Sequence, residues 1–145
     1  MSPDHTAEHF EYKCWPNTNM KKTNFEHADP ILSVSDMGAT LKYYLDVLGF
    51  KNTSWGNNYF THIHRDTAGI YLCQGGQGHS GTWVWIGVDD VAALYEEYVA
   101  SGARIRLAPQ NYPWAYEMHV EDPDGHVLRF GSESKSDMPF AEANF

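Results

Sequence analysis

The stretch that decides the fold is PWAYEMHVEDPDGHVLRFG, residues 113–131. Its centre, residues 122–125 (DPDG), has the composition of a tight turn, because Asp favours the first position, Pro fixes φ and Gly tolerates a positive φ. The residues on both sides of the turn alternate between apolar and polar. The apolar ones are Met118, Val120, Leu128 and Phe130. This pattern predicts a β-hairpin.

A similar hairpin is predicted earlier in the chain, at residues 65–75 (RDTAGIYLCQG). When the two turns are aligned, Cys73 corresponds to Arg129, an offset of 56 residues. Further upstream, residues 34–37 (VSDM) correspond to residues 88–91 (VDDV) at an offset of 54. Apolar residues at helical spacing follow both segments. Ser35 or Asp36 is suited to cap the first helix, and Asp89 or Asp90 the second. The chain is therefore predicted to contain two copies of a strand-helix-strand-strand-strand unit.

The duplicated unit sets the predicted fold class and domain boundaries. One copy is too small to bury its own sheet, so we expect one α+β domain in which two βαβββ modules form a U-shaped curved sheet with helices on its convex side. This domain spans residues 28–134, with module one at 28–80 and module two at 81–134. Residues 1–27 and 135–145 lack sustained periodicity and are predicted to be an N-terminal extension and a C-terminal tail.

Charge and composition limit the possible partners. The 145-residue chain carries a net charge of −9, which argues against nucleic acid and anionic membranes as partners. The acidity would suit a cationic ligand, or it could serve only solubility. Five Trp and nine Tyr are many for this length. Some should fill the core, and others are expected to line a ligand cleft.

The cysteines and the composition of the first residues predict the cellular compartment of the protein. Cys14 and Cys73 form neither a disulfide framework nor a metal-binding pair. The first residues lack the charged and apolar segments of a signal peptide, and no apolar run is long enough to cross a membrane. Together these features predict reduced thiols in a cytoplasmic protein.

Several motifs resemble the vicinal oxygen chelate superfamily, which includes glyoxalases, bleomycin resistance proteins and extradiol dioxygenases. The resemblance lies in residues 34–37 (VSDM), 47–50 (VLGF), 85–91 (WIGVDDV) and 122–126 (DPDGH). Their order and duplicated spacing extend it over residues 28–134. The resemblance implies a cleft inside the U-shaped sheet and, in the enzymes of the family, a divalent metal held there by four residues.

The four metal positions of the family fall on Asp29, Cys73, Trp83 and Arg129 of this sequence. The indole of Trp83 can only donate a hydrogen bond, and Arg129 stays cationic and would repel a metal ion. We therefore expect no metal and no other cofactor, as in the bleomycin-resistance-like members. The alternative is a metal held by a non-standard set: Asp29, His62, His64 and Cys73.

The period of two along a strand indicates which side chains share the cleft. If Trp83 faces the cleft, so does Trp85, together with residues of the neighbouring strands. Trp114 follows a proline, and the Pro-Trp of bleomycin-resistance-like members borders the pocket. The predicted ligand-binding residues are Phe60, His62, Tyr71, Trp83, Trp85, Trp114, Tyr116 and Arg129.

Structural alternatives to these roles stay open in the sequence. The two Trp residues of the strand at 83–88 could be ordinary strand filling, and Arg129 could form an ion pair with Asp29. Met118 and Val120 could mark the core face of their strand, which would turn Tyr116 away from the cleft. His119 and His126 flank the turn and are expected at the surface.

The predicted function is binding without chemistry. The protein would sequester a drug- or antibiotic-like molecule, planar and cationic, in an aromatic cleft shared by the two subunits of a homodimer. The alternative is an enzyme of the same superfamily, a divalent-metal-dependent lyase, isomerase or dioxygenase. No nucleophile elbow or Ser-His-Asp spacing is visible in the sequence.

Overall fold

The computed structural model describes residues 20–143, and within them two βαβββ modules follow one another. The α+β class and the duplicated module are thereby confirmed. Module one contains β1 (Ile31–Ser33), α1 (Met37–Lys42) with a π-helical continuation (Tyr43–Val47), β2 (Lys51–Asn52), β3 (Phe60–Arg65) and β4 (Ala68–Cys73). Module two contains β5 (Trp83–Gly87), α2 (Val91–Ser101), β6 (Arg104–Asn111), β7 (Tyr116–Glu121) and β8 (Val127–Ser132).

Both helices begin where the sequence predicts. The carboxylate of Asp36 accepts a hydrogen bond from the Ala39 N–H, and that of Asp90 accepts one from the Ala93 N–H. These bonds satisfy backbone donors that the first turn of a helix leaves without a partner. At the other end of α2, Gly102 adopts a φ of 87°, the left-handed conformation that ends many helices.

The eight strands form two sheets of four, in the orders β1-β4-β3-β2 and β5-β8-β7-β6. In each sheet the first strand of the module pairs in parallel with the last, and the other pairs are antiparallel. Among the described strands, no ladder joins the two sheets, so the single U-shaped sheet predicted from the sequence is divided within one chain. The reason lies in the core that the modules share.

One hydrophobic core contains the inner faces of both sheets and residues of both helices. Ile63, Ile70 and Leu72 enter it from module one, and Met118, Leu128 and Phe130 from module two. Burying both apolar faces against the same helices removes more surface from water than leaving the modules apart. The outer face of each sheet is therefore directed away from this core.

Tyrosine hydroxyl groups fix the two modules to each other. The Tyr44 hydroxyl donates to Asp122 at 2.9 Å, and the Tyr98 hydroxyl donates to the Leu48 carbonyl at 2.7 Å. Burial raises the pKa of Tyr44, and it raises the pKa of Tyr98 to about 12. Both hydroxyls therefore stay protonated at neutral pH and remain donors.

His126 also joins the modules, and its predicted surface position is wrong. It is fully buried, its Nδ1 accepts from the Thr82 N–H at 3.0 Å, and its Nε2 is 2.6 Å from the Ser33 carbonyl. Because Nδ1 is the acceptor, Nε2 carries the proton and donates. The ring therefore connects the first strand of module one to the hairpin of module two.

The segment after β8 lies on module two. The Asn111 side chain donates to the carbonyls of Lys135 and Met138 and accepts from the Lys135 N–H. The backbone carbonyl of Asn111 accepts from the Ala141 N–H. Much of the predicted C-terminal tail is thus held in place, while residues 1–19 of the predicted extension lie outside the described part of the chain. Within residues 20–143, no helix has the length and apolar character needed to span a membrane.

Candidate ligand-binding site

The outer face of the second sheet carries two exposed indoles beside an arginine. Trp83 and Trp85 on β5 are each 51% exposed, because the alternation along the strand sends Val84 and Ile86 to the inner face. Arg129 on β8 is the register partner of Trp85. These large side chains would be unusual as simple strand filling, since half of the surface of each residue is exposed.

Glu117 on β7 is the buried centre of this outer face. Its carboxylate is 1% exposed, and Oε2 accepts from Arg129 Nε at 2.6 Å and from His119 Nε2 at 2.8 Å. Oε1 accepts from Arg129 Nη2 at 3.1 Å and from the indole N–H of Trp114. A buried carboxylate needs such donors to offset the loss of water. One side chain therefore orients three others.

The same contacts keep the pair of Glu117 and Arg129 ionised. Burial by itself raises the pKa of Glu117, but hydrogen bonds from Arg129, His119 and Trp114 outweigh that effect and hold the pKa below its ordinary value. The hydrogen bond to Glu117 also raises the pKa of Arg129. The sequence-based alternative, an ion pair of Arg129 with Asp29, is not what forms.

Trp85 is positioned by a glycine on the neighbouring strand. A Cβ atom added to Gly131 would lie 2.1 Å from Trp85 Cη2, so the indole rests directly on the bare backbone of β8. The guanidinium of Arg129 lies 5.4 Å from the Trp85 ring centroid, within cation–π range. The absence of a side chain at Gly131 therefore lets Trp85 pack close to β8, where its ring contacts Arg129.

A cavity of about 450 Å³ opens next to this arrangement. In its lining, the ring of Trp83 meets His119 edge-on at 5.3 Å, and the Arg106 guanidinium lies 5.4 Å from the Trp83 centroid. Trp114, also in the lining, stacks on Tyr112 with centroids 4.8 Å apart and an interplanar angle of 3°. The volume is within the range of small-molecule pockets. The lining residues are Trp83, Arg106, Tyr112, Trp114, Glu117, His119, Arg129 and Ala143.

The outer face of the first sheet carries a second aromatic group. Phe60 stacks on Tyr71 with centroids 5.4 Å apart, and the His62 ring lies 4.5 Å from the same tyrosine. His62 Nε2 is 2.9 Å from Asp29 Oδ2. Gly69 permits this contact, because a Cβ atom there would lie 2.6 Å from His62 Nε2. This sheet therefore presents an aromatic surface beside Asp29, whose other carboxylate oxygen is 3.2 Å from His27 Nδ1.

Another cavity, of about 490 Å³, lies beside α2 and the turn between β3 and β4. The Arg65 guanidinium and the Glu97 carboxylate, both in its wall, form two hydrogen bonds of 2.7 and 2.9 Å. Its lining includes none of the predicted ligand-binding residues. We therefore centre the candidate site on the outer face of the second sheet.

A family model for the glyoxalase/bleomycin resistance protein/dioxygenase superfamily matches residues 24–130 of this chain. The chain belongs to this superfamily. The match covers module one and module two as far as β8, including the hairpin at residues 122–125, so the family resemblance predicted from the sequence is confirmed. No curated protein matches the chain.

Several solved structures have the same fold as this chain. A bleomycin-binding protein from Streptomyces verticillus, complexed with copper(II)-bleomycin, is 25% identical over 79% of this chain and 100% of that chain, with a TM-score of 0.66. The antibiotic-binding protein TnmS3 from Streptomyces sp. CB03234 is 20% identical, covers 78% of this chain and 100% of that chain, and has a TM-score of 0.67. TioX from Micromonospora sp. ML1 is 20% identical over 74% of this chain and 99% of that chain, with a TM-score of 0.62.

The superfamily metal does not fit the residues at its expected positions. Trp83 offers only an indole N–H, and Arg129 offers a cation already bonded to Glu117. Within residues 20–143, no group of three or more His, Cys, Asp and Glu side chains is arranged to hold a metal ion. Of the alternative set, Asp29 and His62 are in contact, whereas Cys73 is buried opposite Phe60 and His64 lies opposite Gly69.

The structure separates the predicted ligand-binding residues into three groups. Trp83, Trp114 and Arg129 line the same cavity, and Trp85 lies beside it. Phe60, His62 and Tyr71 lie together on the other sheet. Tyr116 is the exception, because it packs against the hydrophobic core on the inner side of β7.

The misplaced Tyr116 results from unequal turn lengths. Arg65 pairs with Ala68 across the first hairpin and leaves two residues in the turn, whereas Glu121 pairs with Val127 across the second and leaves five. The second turn is three residues longer, so the offset of 56 that relates β8 to β4 does not relate β7 to β3. A shift by an odd number of residues moves each side chain of a strand to the opposite face. His119, not Tyr116, is therefore the residue that corresponds to Phe60.

Five lining residues have no place in the sequence prediction of the site: Arg106, Tyr112, Glu117, His119 and Ala143. Glu117 and His119 alternate with Met118 and Val120, and the two apolar residues are buried in the core. Read with a period of two, this alternation would have assigned the acid and the histidine to the outer face. Arg106 and Tyr112 carry no comparable signal.

Proposed function

We propose that this protein binds a small, planar, drug- or antibiotic-like molecule in an aromatic cleft and sequesters it without a metal. The observation that carries the proposal is the pair of half-exposed indoles, Trp83 and Trp114, around a cavity with a buried Glu117 and Arg129 at its floor. Aromatic walls with a few fixed polar groups are typical of small-molecule sites. The 25% identity to a bleomycin-binding protein supports the same class of function.

Intrinsic fluorescence offers a direct test of this proposal. We expect bleomycin or another planar compound to quench the Trp emission with a dissociation constant below about 1 mM, and we expect Trp83→Ala to weaken that binding about tenfold. Val99→Ala is the matched control, since Val99 is 53% exposed but lies on α2. If no compound quenches below that concentration, the binding function is disproved.

Metal independence has its own test. The donors at the superfamily positions support it, because an indole and a guanidinium cannot ligate an ion. The alternative, a metal-dependent enzyme, is supported by one contact, between Asp29 and His62. These two residues could form part of a non-standard metal site with His64 and Cys73. Elemental analysis of protein purified without chelator distinguishes the two. A stoichiometric divalent metal would favour the enzyme.

We also propose that the protein is a homodimer with shared clefts. Both sheets use their inner faces for one core, so the aromatic outer faces of a single chain are directed away from each other. A second copy could place its Phe60, His62 and Tyr71 opposite the Trp83 cavity. Sedimentation equilibrium on the full chain would give a mass of twice 16.5 kDa if this is correct.

A further inference from the structure

We propose that the cavity beside Trp83 takes a planar aromatic molecule that carries an anionic group, of the class of an aromatic carboxylate. This inference rests on the proposed function, because it names the ligand class of the same cleft. It is opposite in sign to the cationic ligand that the net charge of −9 suggests. The charges that matter are those within contact distance, since water and salt screen the remote ones.

The acidic groups near the cavity are not available to a cation. Glu117 is the only acidic residue in the described lining, and its carboxylate is 1% exposed with donors on both oxygens. Glu121 lies outside the lining, and its Oε1 is 3.5 Å from Arg106 Nη1. A bound cation would therefore lose water and gain no carboxylate contact, which is unfavourable.

The two guanidinium groups in the lining, in contrast, have N–H donors that a ligand could use. Arg129 donates to Glu117 through Nε and Nη2, and within residues 20–143 no hydrogen bond uses its Nη1. A guanidinium has five N–H groups, so several remain for a ligand. Arg106 is 48% exposed, lines the same cavity and lies over the Trp83 ring. Two guanidinium groups therefore present donors to the same space.

The aromatic groups define the shape of the rest of the ligand. Trp83 is half exposed next to Arg106, so a ring stacked on this indole would place a substituent near a guanidinium. The parallel stack of Tyr112 and Trp114 lines the same cavity. A flat ring system can stack on such aromatic walls, and a carboxylate matches the planar geometry of a guanidinium.

Two probes with the same ring and opposite charge test the inference: 2-naphthoate and 2-naphthylmethylammonium. Each is titrated calorimetrically into the full chain at low salt. We expect 2-naphthoate to bind about tenfold more tightly than 2-naphthylmethylammonium. This factor corresponds to about one hydrogen bond between charged groups. We expect Arg106→Gln to remove most of that difference by weakening 2-naphthoate binding alone.

The matched control is Arg104→Gln, which changes the net charge equally on the same strand. Arg104 lies over Tyr43 and outside the cavity lining, so both affinities should stay unchanged. Equal affinities for the two probes, or tighter binding of the ammonium, would overturn the anion preference and leave the proposed function intact. If neither probe nor any other planar compound binds, the anion preference and the proposed function are both overturned.

Discussion

The Glu117 carboxylate holds three side chains of the site, so its loss should reduce stability as well as binding. In Glu117→Gln the amide accepts fewer hydrogen bonds and turns an NH₂ group towards the donors of Arg129 or His119. We expect the free energy of unfolding to fall by about 2 kcal/mol, the cost of a lost hydrogen bond to a charged group. Urea titration at neutral pH measures this change.

The pH dependence of stability gives a second readout for the same residue. Because the pKa of Glu117 is held below its ordinary value, the ionised carboxylate stabilises the fold above that ordinary value, and the contribution is lost as the pH falls through the lowered pKa. Wild type should therefore lose stability more steeply than Glu117→Gln between about pH 5 and pH 3.

The control for both measurements is Glu121→Gln. Glu121 is on the same face of β7 but is 37% exposed, so its removal should change the free energy of unfolding by less than about 0.5 kcal/mol. If Glu117→Gln and wild type give parallel stability curves down to acid pH, the carboxylate does not have the role assigned to it.

At the residue level, the sequence predicts the aromatic part of the site better than the polar part. Trp83 follows from the alternation along its strand, and Trp114 from the Pro-Trp that the family resemblance implies beside the pocket. Glu117 was not predicted, because an acid on a strand usually faces water. Its burial depends on Arg129, His119 and Trp114 being brought together, which is a tertiary event.

Strands β5 and β8 meet through Trp85 and Gly131, and this contact can be tested alone. In Gly131→Ala the new Cβ would lie 2.1 Å from the indole, so Trp85 has to move and Arg129 loses its aromatic support. We expect a changed near-UV circular dichroism spectrum and a loss of about 1–3 kcal/mol of stability from overpacking.

Gly76→Ala is the matched glycine variant, since a Cβ atom there meets nothing within 4 Å. Its spectrum and stability should equal those of wild type to within about 0.5 kcal/mol. A Gly131→Ala protein with an unchanged aromatic spectrum would show that the indole does not rest on β8 as described.

At the level of elements, most of the fold could be predicted from local signals. Asp36 and Asp90 cap the two helices, and the hairpin at residues 122–125 forms where its turn residues indicate. The faces of β7 follow from its apolar alternation at Met118 and Val120, but not from a constant offset between the modules, because the two hairpin turns leave different numbers of residues unpaired. When the turns of two related hairpins differ by an odd number of residues, the inner and outer faces of one strand are exchanged.

The arrangement of the two modules belongs to the scale of the whole molecule. Sequence alone predicts two copies of the module, but not that both apolar faces and both helices pack into one core. That outcome is decided by long-range packing, to which the hydroxyls of Tyr44 and Tyr98 and the buried ring of His126 contribute. It leaves two aromatic outer faces that a single chain cannot bring together.

Mixing two defective proteins tests whether copies of the chain combine these faces. Trp83→Ala damages the outer face of module two, and Tyr71→Ala damages that of module one. If each cleft combines module two of one copy with module one of its partner, either homodimer has only damaged clefts. A mixed dimer would contain one intact cleft and one cleft with both substitutions.

We therefore expect co-refolding of equal amounts to restore wild-type affinity in about a quarter of the wild-type number of sites, as random pairing of identical interfaces requires. Calorimetry with the compound that most strongly quenches wild-type fluorescence gives both affinity and stoichiometry. Mixing Trp83→Ala with Trp83→Ala/Tyr71→Ala is the control, because no pairing of these chains rebuilds a cleft. If the first mixture also restores nothing while its dimers form, each cleft belongs to a single chain, and the exposed outer faces do not depend on a partner.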